Sequence, residues 1–145
     1  MARIEESIEI NASPQKIWPI IRWDRVPEWM TIIKKVEYTS EDKETIGATA
    51  HWVGEAGGLK SEWDTETTEW LPYTRGAWRT TAGTFTGIGS MTLSSNESGT
   101  KATFMMDYEL PYSFLGKIID KLRVCKTIEK STIDSLNNLK AIAEK

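Results

Sequence analysis

Hydrophobic and polar residues alternate over residues 3–11, with Ile4, Ile8 and Ile10 on one face and Glu5, Ser7 and Glu9 on the other. A period of two marks a half-buried strand, and a slip of phase near Glu6 predicts a bulge within it. Ser13-Pro14 then opens a helix, with Ser as the N-cap and Pro at the first helical position, where a missing N–H costs no intrahelical bond. Ile17, Trp18, Ile20 and Ile21 give this short helix a buried side. Residues 24–30 predict a second short helical turn, and Trp23 and Trp29 anchor the pair to a sheet.

The middle of the chain returns to strand character over residues 34–39, 48–54, 59–71, 75–81, 85–94 and 100–110. Polar or glycine-containing turns separate these strands, and such short connections predict an antiparallel meander rather than helical crossovers. Beyond Pro111 the period becomes three to four. Leu115, Ile118, Ile119, Leu122, Cys125, Thr132, Ile133, Leu136, Leu139 and Ala143 form one stripe. About thirty residues at about 1.5 Å each make a rod of roughly 45 Å, long enough to cross a small domain. The expected fold is therefore α+β: one strand, two short helices, six strands and a long C-terminal helix. A twisted sheet curves and a rod does not, so a hollow between them is expected.

The length of 145 residues fits one domain spanning the chain. A net charge of -3 gives no electrostatic reason to expect nucleic acid. Without a run of some 20 apolar residues, no membrane span or signal peptide is expected. The lone cysteine, Cys125, leaves no intrachain disulfide and fits a reducing cytoplasm. Seven tryptophans are the one compositional oddity. Each buried indole brings an N–H that needs a partner, so the excess fits either a wide aromatic-lined space or a core of large aromatics.

Several stretches together resemble the START-like or Bet v 1-like (SRPBCC) superfamily, of the polyketide cyclase/dehydrase type. They are Ile8-Glu9-Ile10-Asn11-Ala12-Ser13-Pro14 running into Ile17-Trp18, then Trp29, and Thr68-Glu69-Trp70-Leu71-Pro72 with Trp78 beyond. Gly99-Thr100 leading to Tyr108-Glu109-Leu110-Pro111, and Ser135-Leu136-Asn137-Asn138-Leu139-Lys140, complete the match. The resemblance implies a helix-grip fold, in which a seven-stranded curved antiparallel sheet wraps the C-terminal helix around a hydrophobic cavity. It also implies binding of lipids, hormones or polyketides. The superfamily shares no catalytic residue set, so the resemblance transfers no reaction.

Alternation assigns faces. On the last strand Ala102, Phe104, Met106, Tyr108 and Leu110 oppose Lys101, Thr103, Asp107 and Glu109, and the first set is expected inside. The same rule turns Trp52, Trp63, Thr65 and Thr67 inward, together with Trp78, Thr80, Phe85 and Met91. Ile118, Leu122 and Cys125 of the long helix are expected to form the opposite wall. Tyr108, Thr65, Thr67, Thr80 and the indole N–H groups would supply polar contacts to a ligand.

Candidate chemistry is sparse. His51 falls on the outer face with no metal-ligand companions, and no metal or cofactor is expected. Cys125 sits on an apolar stripe and reads as packing. Glu69 and Trp70 lie where the long strand is expected to bend, which leaves their direction open. Turned inward beside Trp70 and Tyr108, Glu69 would be a desolvated carboxyl able to move protons. Three functions follow: a carrier of a hydrophobic, cyclic or aromatic small molecule, a cyclase- or dehydratase-like enzyme using the same cavity, or a protein-interaction module.

Overall fold

The computed structural model describes residues 2–56, 58–109 and 121–145. Strand β1 (Ala2–Ile10) leads to helix α1 (Pro14–Ile17) and two 3-10 turns, Trp18–Ile21 and Trp23–Glu28. Then follow β2 (Ile33–Tyr38), β3 (Thr49–Ala56), β4 (Leu59–Leu71), β5 (Arg75–Gly83), β6 (Thr86–Asn96) and β7 (Gly99–Glu109). Helix α2 (Lys121–Ala143) ends the chain. The strands form one antiparallel sheet in the order β1-β7-β6-β5-β4-β3-β2, curled around α2 as a helix-grip fold. Strands β2 to β7 are the meander expected from the short turns. The two short helices carry the chain from β1 to the far edge, where β2 starts.

Local signals act as read at α1, where the Ser13 hydroxyl accepts from the Lys16 N–H at 3.2 Å and Pro14 opens the helix. The bulge expected in β1 is absent. Its register against β7 is unbroken from Ala2↔Tyr108 to Ile10↔Thr100, so Glu6 stays in phase with Ile4 and Ile8, half-buried on the inner face. The phase change falls in β4 instead. Thr67 pairs with Trp78 and Glu69 with Ala77, which leaves Thr68 as the extra residue of a bulge. Before it, odd-numbered Trp63, Thr65 and Thr67 are buried; after it, even-numbered Trp70 is buried and Glu69 turns outward.

Helix α2 buries Val124, Ile128, Ser131, Thr132, Ser135, Leu136, Leu139 and Ala143. Leu122 and Ile133, assigned to the buried stripe by sequence, are 63% and 43% exposed. The true face is displaced because two of its members are serines, which hydrophobic periodicity does not register. Their small side chains let the helix approach the loop before β2. The Thr31 N–H donates to the Ser135 hydroxyl at 3.0 Å, the Thr31 and Ser131 hydroxyls bond each other, and Asn138 Nδ2 donates to the Trp29 carbonyl at 3.2 Å. Lys140 Nζ donates to the Glu9 carbonyl at 2.8 Å, and the Asn11 N–H to Glu144 Oε2 at 2.8 Å. The C-terminal half of the helix is thus clamped by polar bonds. In the N-terminal half, Thr127 Oγ1 bonds back within the helix to the Arg123 carbonyl at 3.0 Å, and Cys125 sits beside Tyr108 of β7. Residues 110–120, which include Leu110, Leu115, Ile118 and Ile119 of the sequence analysis, lie outside the description.

Candidate functional site

The inner surface of the sheet is dominated by rings. Trp18 meets Trp70 at 4.9 Å between centroids, Trp70 meets Trp23 at 5.2 Å, and Trp23 meets Trp52 at 6.1 Å. Trp52 stacks on Trp63 at 6.3 Å, Trp63 meets Phe85 at 5.2 Å, and Phe85 stacks on Tyr108 at 5.6 Å. The β3–β4 register fixes part of this row by placing Trp52 directly opposite Trp63. Each ring pair adds about 0.5–1.5 kcal/mol beyond its area burial, so the row stiffens the wall.

Between this wall and the N-terminal half of α2 lies a cavity of about 90 Å³ as traced by the centre of a water-sized sphere. Three walls enclose it. The sheet contributes Trp52, Trp63, Trp78, Phe85, Met91, Phe104 and Met106 of the residues expected from sequence. The helix contributes Val124 and Ile128 with Ser131 and Thr132, the short helices and the loop before β2 contribute Trp23, Trp29 and Met30, and β2 adds Ile33. The sequence identified Trp23 and Trp29 as anchors but not as lining. They become lining because the 3-10 turns lay their indoles across the open end of the sheet.

Several predicted positions lie elsewhere. Thr65 and Thr67 are buried at 1% exposure, but Trp52 Nε1 donates to Thr65 Oγ1 at 2.8 Å and Trp23 Nε1 to Thr67 Oγ1 at 2.9 Å. Their hydroxyls orient indoles and do not line the cavity. Thr80 accepts from the Gly87 N–H at 3.0 Å, beyond the point where β5–β6 pairing stops at Arg79↔Ile88, and it too is outside the lining. Leu122 faces outward on a shallow depression with Arg123, Lys126, Thr127 and Lys130. Cys125 is a half-buried free thiol that packs against the core beside Tyr108, off the cavity. Ile118 lies outside the described residues.

The two acid–base candidates separate. Glu69 sits on the outer face, where Arg75 Nε holds it at 3.1 Å with the carboxylate side chain 45% exposed, so the desolvated inward carboxyl does not form. Tyr108 is 1% exposed, and its hydroxyl is sealed without a hydrogen-bond partner. Burial first, and then the neighbouring Cys125 thiol, push that phenol well above its ordinary range, so it stays protonated. Outside the cavity, His51 on the outer face of β3 lies 2.7 Å from Asp64 Oδ1 and 3.5 Å from Glu62 Oε1. The hydrogen bond to Asp64 raises its pKa most, burial opposes, and Glu62 adds to the rise.

Known proteins are similar to this chain in sequence or in fold. A family model described as polyketide cyclase / dehydrase and lipid transport matches residues 1–144. An uncharacterized 17.2 kDa protein of Streptomyces lincolnensis is 28% identical over 136 residues, covering 92% of this chain and 86% of its own. Among solved structures, TTHA0849 of Thermus thermophilus superposes with a TM-score of 0.81 at 20% identity, over 98% of this chain and 97% of its own. The Zhui aromatase/cyclase of Streptomyces sp. R1128 gives 0.79 at 14%, over 99% and 93%. A START superfamily protein of Mycobacterium smegmatis gives 0.77 at 15%, over 98% and 97%.

Proposed function

The chain belongs to the polyketide cyclase / dehydrase and lipid transport family, and on that footing we propose that it binds a hydrophobic, ring-containing small molecule between the sheet and α2. The observation that carries this reading is the lining itself: five tryptophans, two phenylalanines and three methionines converge on one hollow. A binding role is favoured over catalysis because the two acid–base candidates are unsuited to it, Glu69 being outside and Tyr108 locked as a neutral phenol off the cavity.

Size sets a condition on this function. A hollow of about 90 Å³ is smaller than the roughly 150 Å³ that admits benzene in an engineered cavity, so a larger ligand must open the space. The means are at hand in Met30, Met91 and Met106, whose unbranched chains re-pack easily, and in the 123–130 stretch of α2, which lies N-terminal to the polar clamp at Ser131, Ser135, Asn138 and Lys140. A two-ring molecule burying about 200 Å² would gain about 5 kcal/mol at about 25 cal/mol per Å². That gain corresponds to a Kd of about 0.2 mM, and the cost of rearrangement puts the expected affinity of a two-ring compound between about 0.2 mM and several millimolar.

Titration of tryptophan fluorescence with naphthalene-sized and three-ring neutral compounds tests this. Saturable quenching at one ligand per chain, tightening from two rings to three, is expected. Quenching that stays linear with concentration for every compound would remove the binding reading.

A further inference from the structure

We propose that Trp63 and Trp78 are specificity determinants, whose indole N–H groups select a neutral ligand carrying a carbonyl or similar hydrogen-bond acceptor. This rests on the binding role above and narrows it. Five indoles line the cavity, and three have already given their N–H to the protein: Trp23 to Thr67, Trp52 to Thr65, and Trp29 to the Ile20 carbonyl at 3.2 Å. Trp63 and Trp78 are each 8% exposed, and among the described residues neither N–H has an acceptor. The side-chain polar atoms that are both sealed and unpartnered are, among the described residues, the hydroxyls of Tyr38 and Tyr108. The two indole nitrogens therefore border open space, and the cavity is the space both residues line.

Glycines hold the two rings in place. Trp78 pairs with Gly89, where an added Cβ would fall 2.3 Å from ring carbon Cζ2 and 3.0 Å from Nε1. The outer edge of the Trp63 ring lies over Gly54, 2.8 Å from where a Cβ would stand, and its other face stacks on Trp52. Both donors are thus fixed before a ligand arrives, which lowers the ordering cost of binding.

The remaining polar groups of the lining explain the preference for neutrality. Alternation turns the side chains of Glu55 and Ser90 to the opposite face, so they border the cavity through backbone. The Ser131 hydroxyl is bonded to Thr31 and the Thr132 hydroxyl to the Ile128 carbonyl. What faces the ligand is two indole donors and, at the open end, the Ser61 hydroxyl opposite Gly54. Among the described residues no cationic side chain lines the cavity, so a carboxylate would enter without a counter-ion, and a bare hydrocarbon would leave both donors unused.

Fluorene, fluorenone and fluorene carboxylate share one ring frame and differ in this chemistry, and calorimetric titration of each separates the outcomes. Fluorenone is expected to bind most tightly. Trp63→Phe and Trp78→Phe should each cut the preference for fluorenone over fluorene by about 3–10-fold, the worth of one neutral hydrogen bond, because the lost ring surface affects both ligands alike and cancels in the ratio. In the unaltered protein, the indole N–H signals of Trp63 and Trp78 should shift with fluorenone and stay still with fluorene, a readout independent of how the variants fold. Equal binding of fluorene and fluorenone, tighter binding of the carboxylate, or indole signals that move alike with both neutral compounds would overturn the proposal. Failure of all three compounds to bind would instead overturn the binding role on which it rests.

Discussion

Trp52 Nε1 donates to Thr65 Oγ1 at 2.8 Å, and Thr65 stands one step along the inner face of β4 from Trp63, the residue opposite Trp52. A threonine in this wall is therefore part of the aromatic packing. Thr65→Val keeps the shape and removes the acceptor, leaving a buried N–H unpaired. A loss of about 1–3 kcal/mol is expected in denaturant unfolding, with Thr65→Ser close to the unaltered protein. Equal stability of the valine variant would mean that the indole finds another partner.

Gly89 is required by contact, not by backbone conformation. Its missing Cβ would meet the Trp78 ring at 2.3 Å. The ring is boxed in by Trp52 at 6.1 Å, so it has little room to retreat. Gly89→Ala is expected to lower stability by about 1–3 kcal/mol and to change the near-ultraviolet circular dichroism of the tryptophans. An unchanged spectrum would show that Trp78 yields freely.

Glu69→Gln tests the separation of acid from cavity. The Arg75–Glu69 pair is partly exposed at 32% and 45%, so its loss should cost less than about 1 kcal/mol. Ligand titration of the variant should match the unaltered protein, since Glu69 is on the far face of the sheet. Tyr108→Phe removes a sealed hydroxyl that has no partner, and stability should hold or rise. A drop above about 1 kcal/mol in denaturant unfolding would reveal a bond to that hydroxyl.

His51 gives the protein a readable pH response. Its folded pKa is raised, first by the hydrogen bond to Asp64 and then by Glu62. A raised pKa means the stabilisation is full below the unfolded value of about 6.5 and is lost as pH rises through the folded value. Because this chain has one histidine, its imidazole resonance titrates without overlap. Asp64→Asn should move the midpoint downward; an unmoved midpoint would mean the pair does not persist in solution.

The fold was legible because its signals are local and agree with one another: the Ser13-Pro14 cap, the period-two strands, the glycine turns and the long helical tail. The cavity was legible wherever strand phase ran unbroken, as at Phe104 and Met106 on β7. It failed where polar residues carry the packing. Ser131 and Ser135 hide the true inner face of α2 from hydrophobic periodicity, which turns Leu122 inward and misses Val124 and Ile128. Alternation turns Thr65, Thr67 and Thr80 inward as polar contacts for a ligand, but their hydroxyls accept from two indoles and from the Gly87 N–H, a pairing that depends on register and not on residue type. The bulge at Thr68 settled the direction of Glu69, and nothing in the alternation alone distinguishes that bulge from the one expected at Glu6.

The most direct test is a nitrogen–proton correlation spectrum followed through a fluorenone titration. The account predicts saturable, one-to-one shifts at Trp52, Trp63, Trp78, Val124 and Ile128, as the methionine wall and the first turns of α2 make room. Shifts confined to the surface depression around Leu122, Lys126 and Lys130, or none that saturate, would contradict it.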